Sequence, residues 1–200
     1  QLFHIGNVDH IAKSTIAIVW NMRSPRVIMG LIAGAGLALC GSTMQTTVNN
    51  PISEPYILGI SAGATFGATL LIILGLKSFI GFGAFLGAII ATIIVLVIAS
   101  AGKKITTTSL VLSGVVVNAL FSAISNFIIS IGANSDNMMT IKFWTMGSLA
   151  SSSWGSIILP FIIVLVACIF FMTQHRIMNA MLMGDEVAIT LGISLQKYRM

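Results

Sequence analysis

Residues 48–64 read VNNPISEPYILGISAGA, and this stretch decides how the rest of the chain is understood. Pro51, Pro55, Asn49, Asn50 and Glu54 interrupt an otherwise apolar sequence, which then resumes through Gly59, Gly63 and Gly67 at every fourth position. The segments on either side are each about 20 residues long, the length that crosses roughly 30 Å of hydrocarbon. A polar hinge between two such segments is rarely needed in a water-soluble domain. It suits two membrane helices joined by a short turn, as a transporter requires.

Composition points the same way. Of 200 residues, 56% are hydrophobic and 8% charged, and the mean hydropathy is +1.02. Soluble domains average roughly 25% charged residues, so this supply cannot build a water-facing surface, and lipid must solvate most of the chain. The net charge of +5 is scattered, with no basic run longer than Lys103-Lys104. Nucleic-acid binding would need a clustered basic stripe with aromatic platforms, and no nucleic-acid partner is expected. Cys40 and Cys168 lie in separate apolar runs outside any CxxC and read as small buried hydrophobes.

Apolar runs occupy about Val27–Thr47, Tyr56–Leu76, Ser78–Ala101, Leu110–Gly132 and Gly155–Thr173. All should be helical, because unpaired backbone groups are too costly in lipid. The expected class is an all-α, polytopic membrane protein with about five transmembrane helices. Residues 1–26 fall on one side and 174–200 on the other. The positive-inside rule does not orient it. With residue 1 outside, Lys103, Lys104, Arg176, Lys197 and Arg199 lie inside, against Lys13, Arg23, Arg26, Lys77 and Lys142 outside. The chain begins at Gln1 without a leader pattern and stops just after a polar stretch, so a fragment of a longer protein is expected.

Arg23-Ser24-Pro25-Arg26 precedes the first span. Pro25 suits the first turn of a helix. Two arginines there oppose the positive end of the helix dipole, so they either face a partner or snorkel to the interface. Gly30, Gly34 and Ala38 in the first span, Gly59, Gly63 and Gly67 in the second, and Gly83, Gly87 and Ala91 in the third form small-residue faces for close helix contact. Ser61, Thr65 and Thr69 give the second span a hydroxyl-lined side. The third span, almost without polar side chains, is expected to be peripheral and to face lipid.

The fourth span carries Gly114, Asn118, Ser122, Ser125, Asn126 and Ser130 at helical spacing. Asparagine inside a membrane helix is expensive and faces a bundle interior or a wet cavity. The stripe therefore lines a pathway or bonds neighbouring helices. Trp144 and Trp154 fit an interfacial belt, and Pro160 lies early in the fifth span, where neighbours can satisfy the freed carbonyl. Residues 174–200 read as two short helices around Gly184. The first is Ile177–Met183. Asp185 caps the second, with Glu186 in its first turn and Gly192 at C′. Exposed Met178, Met181 and Met183 would make the pair a docking element, and an amphipathic connector is the alternative.

Some apparent motifs carry no chemistry. Gly59–Gly63 matches GxSxG, but a nucleophile elbow needs a preceding strand and a base, and His4, His10 and His175 are remote. Gly81-Phe82-Gly83 misses the dinucleotide-binding spacing. There is no Walker sequence, so ATP hydrolysis would belong to another subunit. No cluster has metal-ligand spacing, and no cofactor is expected. A proton- or sodium-coupled transporter would carry an ionisable residue inside its spans. An intramembrane enzyme would carry histidine or acid there. A scaffold would need neither the polar stripe nor the broken helix pair.

Several ordered segments resemble one family. Arg23–Arg26 resembles the RxPR of the FecCD/BtuC-like ABC transporter permeases, which import iron-siderophores, haem or cobalamin. Asn50–Pro55 with Leu58–Ala64 resembles their NPLAxP…LGxSxGA, Leu112–Val115 their L(A/S)G(I/V), and Trp144–Leu149 their WxxGSL. Met178–Ala180 with Gly184–Ala188 and Leu191-Gly192 resembles their LNxLxLGxExAxxLG. Ser24 stands where the family more often has Leu.

The resemblance implies a ten-helix importer permease in the cell membrane, of which this chain holds about spans two to six. It implies an extracellular residue 1 and a cytoplasmic 174–200. Arg23 and Arg26 would receive glutamates of an extracytoplasmic substrate-binding protein. Asn118, Ser122, Ser125 and Asn126 would line the translocation pathway, at an interface with a second permease subunit, identical or not. Thr106, Thr107 and Thr108 would lie at the cytoplasmic gate. Met178, Asn179, Gly184, Asp185, Glu186, Leu191 and Gly192 would seat in the ABC ATPase subunit. The implied substrate is an iron chelate, first of all a ferric siderophore, with cobalamin or haem as alternatives.

Overall fold

The computed structural model describes residues 13–101, 105–194 and 198. Its helices are α1 (Lys13–Ile18), α2 (Ser24–Val48), α3 (Ile60–Ile73), α4 (Ile80–Ser100), α5 (Thr107–Gly132), α6 (Ser135–Met146), α7 (Trp154–Thr173), α8 (His175–Leu182) and α9 (Asp185–Thr190). A π-helical turn, Val19–Arg23, joins α1 to α2, and 3-10 turns at Pro55–Leu58 and Lys77–Phe79 precede α3 and α4. The expected all-α class holds.

Among the described residues, four stretches are long and apolar enough to cross a membrane: Ser14–Val48, Lys77–Ser100, Thr107–Gly132 and Trp154–Thr173. The run Tyr56–Leu76 is divided instead. Its helix, α3, has 14 residues, about 21 Å at 1.5 Å per residue. Pro55 opens a separate 3-10 turn that ends at Gly59 in the left-handed conformation, φ 68°. At the other end Gly75, φ 77°, closes α3 with two bonds, Gly75 N–H to the Ile72 carbonyl and Leu76 N–H to the Leu71 carbonyl.

Contacts cluster into two units. The first unit contains the chain through Ala38 together with Ser148–Phe171. Helix begins at Lys13, well before the expected start at Val27; residues 1–12 lie outside the described ones. Pro25 explains the π turn. It lacks an N–H and its ring crowds the carbonyl four residues back. A π turn shifts bonding to i−5, and Ser24 N–H reaches the Val19 carbonyl accordingly. Ser24 Oγ also donates to that carbonyl at 2.9 Å. Trp154 stacks obliquely on Trp20, with centroids 5.1 Å apart, and donates Nε1–H to the Trp20 carbonyl at 3.1 Å. α7 runs unbroken past Pro160.

The second unit, Leu39–Gly147 with Met172–Met200, is organised by α3 packed on α4 and α5. Gly63 and Gly67 of α3 lie against the carbonyls of Gly87 and Gly83 of α4, so closely that a Cβ on any of the four would collide with the facing helix. This is the small-residue contact expected where lipid supplies no hydrophobic drive. Around it Ala62, Ala91, Val95, Ala99, Leu110, Val117 and Phe121 form a continuous core. Phe66 meets Phe121 edge-on at 5.3 Å, a pair worth about 1 kcal/mol beyond its buried area.

Two expectations change here. α4 is not simply peripheral: Gly83, Ala84, Gly87, Ala91, Val95 and Ala99 are buried, while Phe82, Phe85, Ile93 and Val97 are exposed on its other side. Backbone proximity, rather than polar side chains, makes its contact. Cys40 is exposed and Cys168 half-buried, because each lies on the outer side of an apolar helix. The 133–154 linker also holds an unanticipated helix, α6, with Asp136 in its first turn, where a carboxylate complements the helix dipole.

Gly67→Val should destabilise the protein by about 1–3 kcal/mol or more, since the overpacked atoms meet backbone. Thermal unfolding of the detergent-solubilised permease measures this. An unchanged midpoint would mean that α3 and α4 are not held at backbone distance.

Candidate functional site

Three groups of side chains carry the chemistry suggested by the sequence. In the first unit Arg23 ends the π turn and is exposed. Arg26 is half-buried and donates Nε–H to the Ala150 carbonyl at 3.2 Å. The 148–154 loop is held further by Leu149, whose Cδ1 lies 3.7 Å from a Cβ position on Gly30, and by the Trp20–Trp154 bond. The two arginines therefore differ. Arg23 presents its whole guanidinium, whereas Arg26 is oriented by a carbonyl and offers what remains of its fork.

The second group lies on α5. Asn118 is half-buried, and Ser122, Asn126 and Ser130 are exposed along one face. Gly114 and Ser125 are buried, and Ser125 Oγ donates to the Phe121 carbonyl at 2.7 Å. The structure thus brings Asn118, Ser122 and Asn126 to one face and leaves Ser125 on the packed side. Spacing alone could not separate them, because Ser125 borders the polar stripe by one residue. Exposed Leu112, Val115, Leu120, Phe127 and Ile131 surround this face with apolar area.

At the start of α5, Thr106 and Ser109 form a reciprocal capping box: Thr106 Oγ1 accepts from Ser109 N–H, and Ser109 Oγ accepts from Thr106 N–H. Thr107 Oγ1 donates to the Val48 carbonyl at 3.1 Å. Thr108 is exposed. Two of the three threonines are therefore engaged in holding α5, one at its cap and one to the end of α2.

The third group is the α8–α9 pair. Asn179, Glu186 and Leu191 are exposed, and Met178 is half-buried. Of the methionines expected at the surface only Met183 is fully exposed; Met181 is buried with Ala180 and Ala188. α8 and α9 pack on each other. The N-cap of α9 is Gly184, φ 108°, with no side-chain cap, so Asp185 is the first helical residue rather than the cap. Gly192 takes the expected left-handed conformation, φ 79°. Its N–H reaches the Ile189 carbonyl, and Ile193 N–H reaches that of Ala188, the paired bonds of a Schellman stop.

The 48–59 hinge is built the same way. Asn49, φ 50°, is the one non-glycine with positive φ among the described residues. Asn49 N–H bonds to the Thr46 carbonyl and Asn50 N–H to that of Gln45, a second Schellman stop with asparagine at C′. Asn50 Oδ1 then accepts from Ile52 N–H at 3.0 Å, turning the chain at Pro51. A Cβ on Gly59 would lie 3.2 Å from Asn118 N, so the hinge passes directly against α5. Asn49 was not singled out from the sequence, although asparagine after a polar helix end, with proline two residues on, is a recognisable stop signal.

Residues 2–200 match the pattern of the FecCD transport family. The chain is 37% identical to a probable iron chelatin transport system permease protein of Helicobacter pylori, over 96% of this chain and 57% of that one. It is 34% identical to the cobalamin import system permease protein BtuC of Halobacterium salinarum, over 94% of this chain and 51% of that one. A solved metal-chelate-type ABC transporter in an inward-facing conformation superposes with a TM-score of 0.84 at 27% identity, over 98% of this chain and 62% of the other. The chain thus spans about half the length of the curated relatives it matches.

Thr106→Ala removes half of the capping box and should weaken the first turn of α5 by about 1 kcal/mol. Hydrogen exchange at the amides of Thr107–Leu110 should accelerate about fivefold. Unchanged exchange would assign the cap to other contacts.

Proposed function

The chain belongs to the FecCD transport family, and on that premise we propose that it is part of the multi-pass, cell-membrane permease subunit of an ATP-driven importer of an iron chelate, foremost a ferric siderophore. The observation that carries the transport reading is the polar face of Asn118, Ser122 and Asn126 along a membrane helix otherwise surrounded by apolar area. Such a face is costly against lipid and is retained where a wet pathway borders it. Identity to the Helicobacter iron chelatin permease supports iron as the cargo.

In this reading residue 1 is extracellular and 174–200 cytoplasmic. Arg23 takes a carboxylate of a substrate-binding protein, and Arg26 adds the remainder of its fork. Cytoplasmic ATPase subunits grip Met178–Gly192, and their closure moves α5. A second permease subunit, identical or not, covers the apolar rim of α5 and completes the pathway. Thr106–Thr108 narrow its cytoplasmic end. A chelated cargo needs no protein ligands to its metal, so amides and hydroxyls suffice for the wall. The permease itself hydrolyses nothing.

The test is reconstitution of the complete permease with its ATPase and binding protein in vesicles, with uptake measured for ferric hydroxamate, ferric catecholate, haem, cobalamin and molybdate. ATP-dependent uptake of a ferric chelate is expected. Uptake of cobalamin, haem or molybdate alone would replace the iron assignment, and ATP-independent uptake would sink the importer reading.

Arg23→Glu should lower uptake at least about tenfold, as loss of a desolvated interfacial charge pair does, and a compensating Glu→Arg on the binding protein should restore much of it. Arg26→Glu should be rescued less, because its Nε also holds Ala150. Full uptake by both variants would remove these arginines from docking.

A further inference from the structure

We propose that Trp154 is a positioning residue for docking of the binding protein: its indole N–H takes the place of the backbone donor that Pro25 lacks, and this fixes the loop that aims Arg26. The proposal rests on the docking role given to Arg26 above for its consequence, and on the hydrogen bonds of the first unit for its substance.

The proline in Arg23-Ser24-Pro25-Arg26 leaves one acceptor without its usual partner. In a π turn each N–H bonds to the carbonyl five residues back, and Ser24 N–H is committed to the Val19 carbonyl accordingly. The next donor in that register would be the N–H of residue 25, for the Trp20 carbonyl. Pro25 has none, and its ring is fully buried. An unpaired carbonyl is costly wherever water is scarce. Trp154 Nε1–H reaches the Trp20 carbonyl at 3.1 Å, with the two ring centroids 5.1 Å apart. A side chain remote in sequence thus supplies the bond that the proline cannot make.

Trp154 opens α7, and a reciprocal cap sets its backbone. Ser153 N–H donates to Ser156 Oγ at 2.9 Å, and Ser156 N–H to Ser153 Oγ at 3.4 Å. The residues just before it are tied as well: Ser152 N–H bonds to the Leu149 carbonyl, and Ala150 N–H to Ser148 Oγ. A loop with so many short-range bonds moves as one piece, and the Trp154 bond anchors that piece to the π turn. The Ala150 carbonyl of the same loop accepts Arg26 Nε–H at 3.2 Å. With Nε occupied, the end-on pair of Nη groups is the edge of the guanidinium left for a bidentate carboxylate. Trp154 therefore sets the direction from which a partner's carboxylate meets Arg26.

Trp154→Phe keeps an aromatic ring against Trp20 and removes the donor. In the complete permease with its ATPase in lipid nanodiscs, the dissociation constant for the binding protein should rise about threefold to tenfold, the equilibrium penalty for ordering one long side chain on binding. ATP hydrolysis at saturating binding protein should keep its native maximum, whereas loss of a merely structural residue would lower that maximum too. Arg26→Ala should weaken binding by itself, and Trp154→Phe added to it should weaken binding no further. Hydrogen exchange at the Leu149–Ser152 amides should quicken in Trp154→Phe with no binding protein present. If Trp154→Phe does not assemble, benzothienylalanine at position 154, similar in shape and without the N–H, gives the same readings. Native binding by Arg26→Ala would remove the docking role and this inference with it. Weakened binding by Arg26→Ala beside native binding or native exchange in Trp154→Phe would overturn this inference alone.

Discussion

Two helix backbones can touch only where no Cβ stands between them, and the rest of the second unit depends on that contact. Gly63 and Gly67 of α3 meet the carbonyls of Gly87 and Gly83 of α4, which draws the helices together without a polar bond. α5 then closes over the pair, with Phe121 against Phe66 and Val117 fully buried. In lipid the gain comes from dispersion and shape, since apolar area is equally content against acyl chains. A single side chain in the seam would separate all three helices.

The second constraint is that backbone polar groups need partners wherever water is scarce. The 48–59 hinge meets it within a few residues. Asn49 and Asn50 close α2 through their own N–H groups, the Asn50 side chain supports the turn at Pro51, and Gly59 lets the chain pass against Asn118 before α3 begins. The side-chain bond from Thr107 to the Val48 carbonyl joins the hinge to the helix that carries the polar face. The hinge that separates two apolar runs is therefore also where the end of α2 meets the start of α5.

Helix positions were legible because apolar runs of fixed length have few alternatives in lipid. α4, α5 and α7 begin and end within a few residues of the runs that announced them. α3 is shorter because Pro55, Gly59 and Gly75 act on backbone torsions, which hydropathy does not register. α6 was missed because its mixed composition has neither a long apolar run nor a clear period. The short helices after Thr173 were anticipated from Gly184 and Gly192. The exposure of their methionines was not, since whether Met181 points in or out depends on how α8 meets α9. Among site residues, Arg23 and Arg26 look equivalent in a four-residue motif, yet one is exposed and the other is half-buried and bonded to a loop more than a hundred positions away.

What the amino-acid sequence determined alone is the solvent, the helical class, the family and the approximate place of each span. Those follow from composition, run length and local motifs, all of which are properties of neighbouring residues. The tertiary structure decided which side of α5 each polar residue takes, which arginine is committed to a carbonyl, and that Thr107 is bonded to the end of α2. These depend on contacts between segments distant along the chain. Such contacts are set by the close approach of glycine backbones and by where each helix is stopped, and no local pattern of residues encodes them.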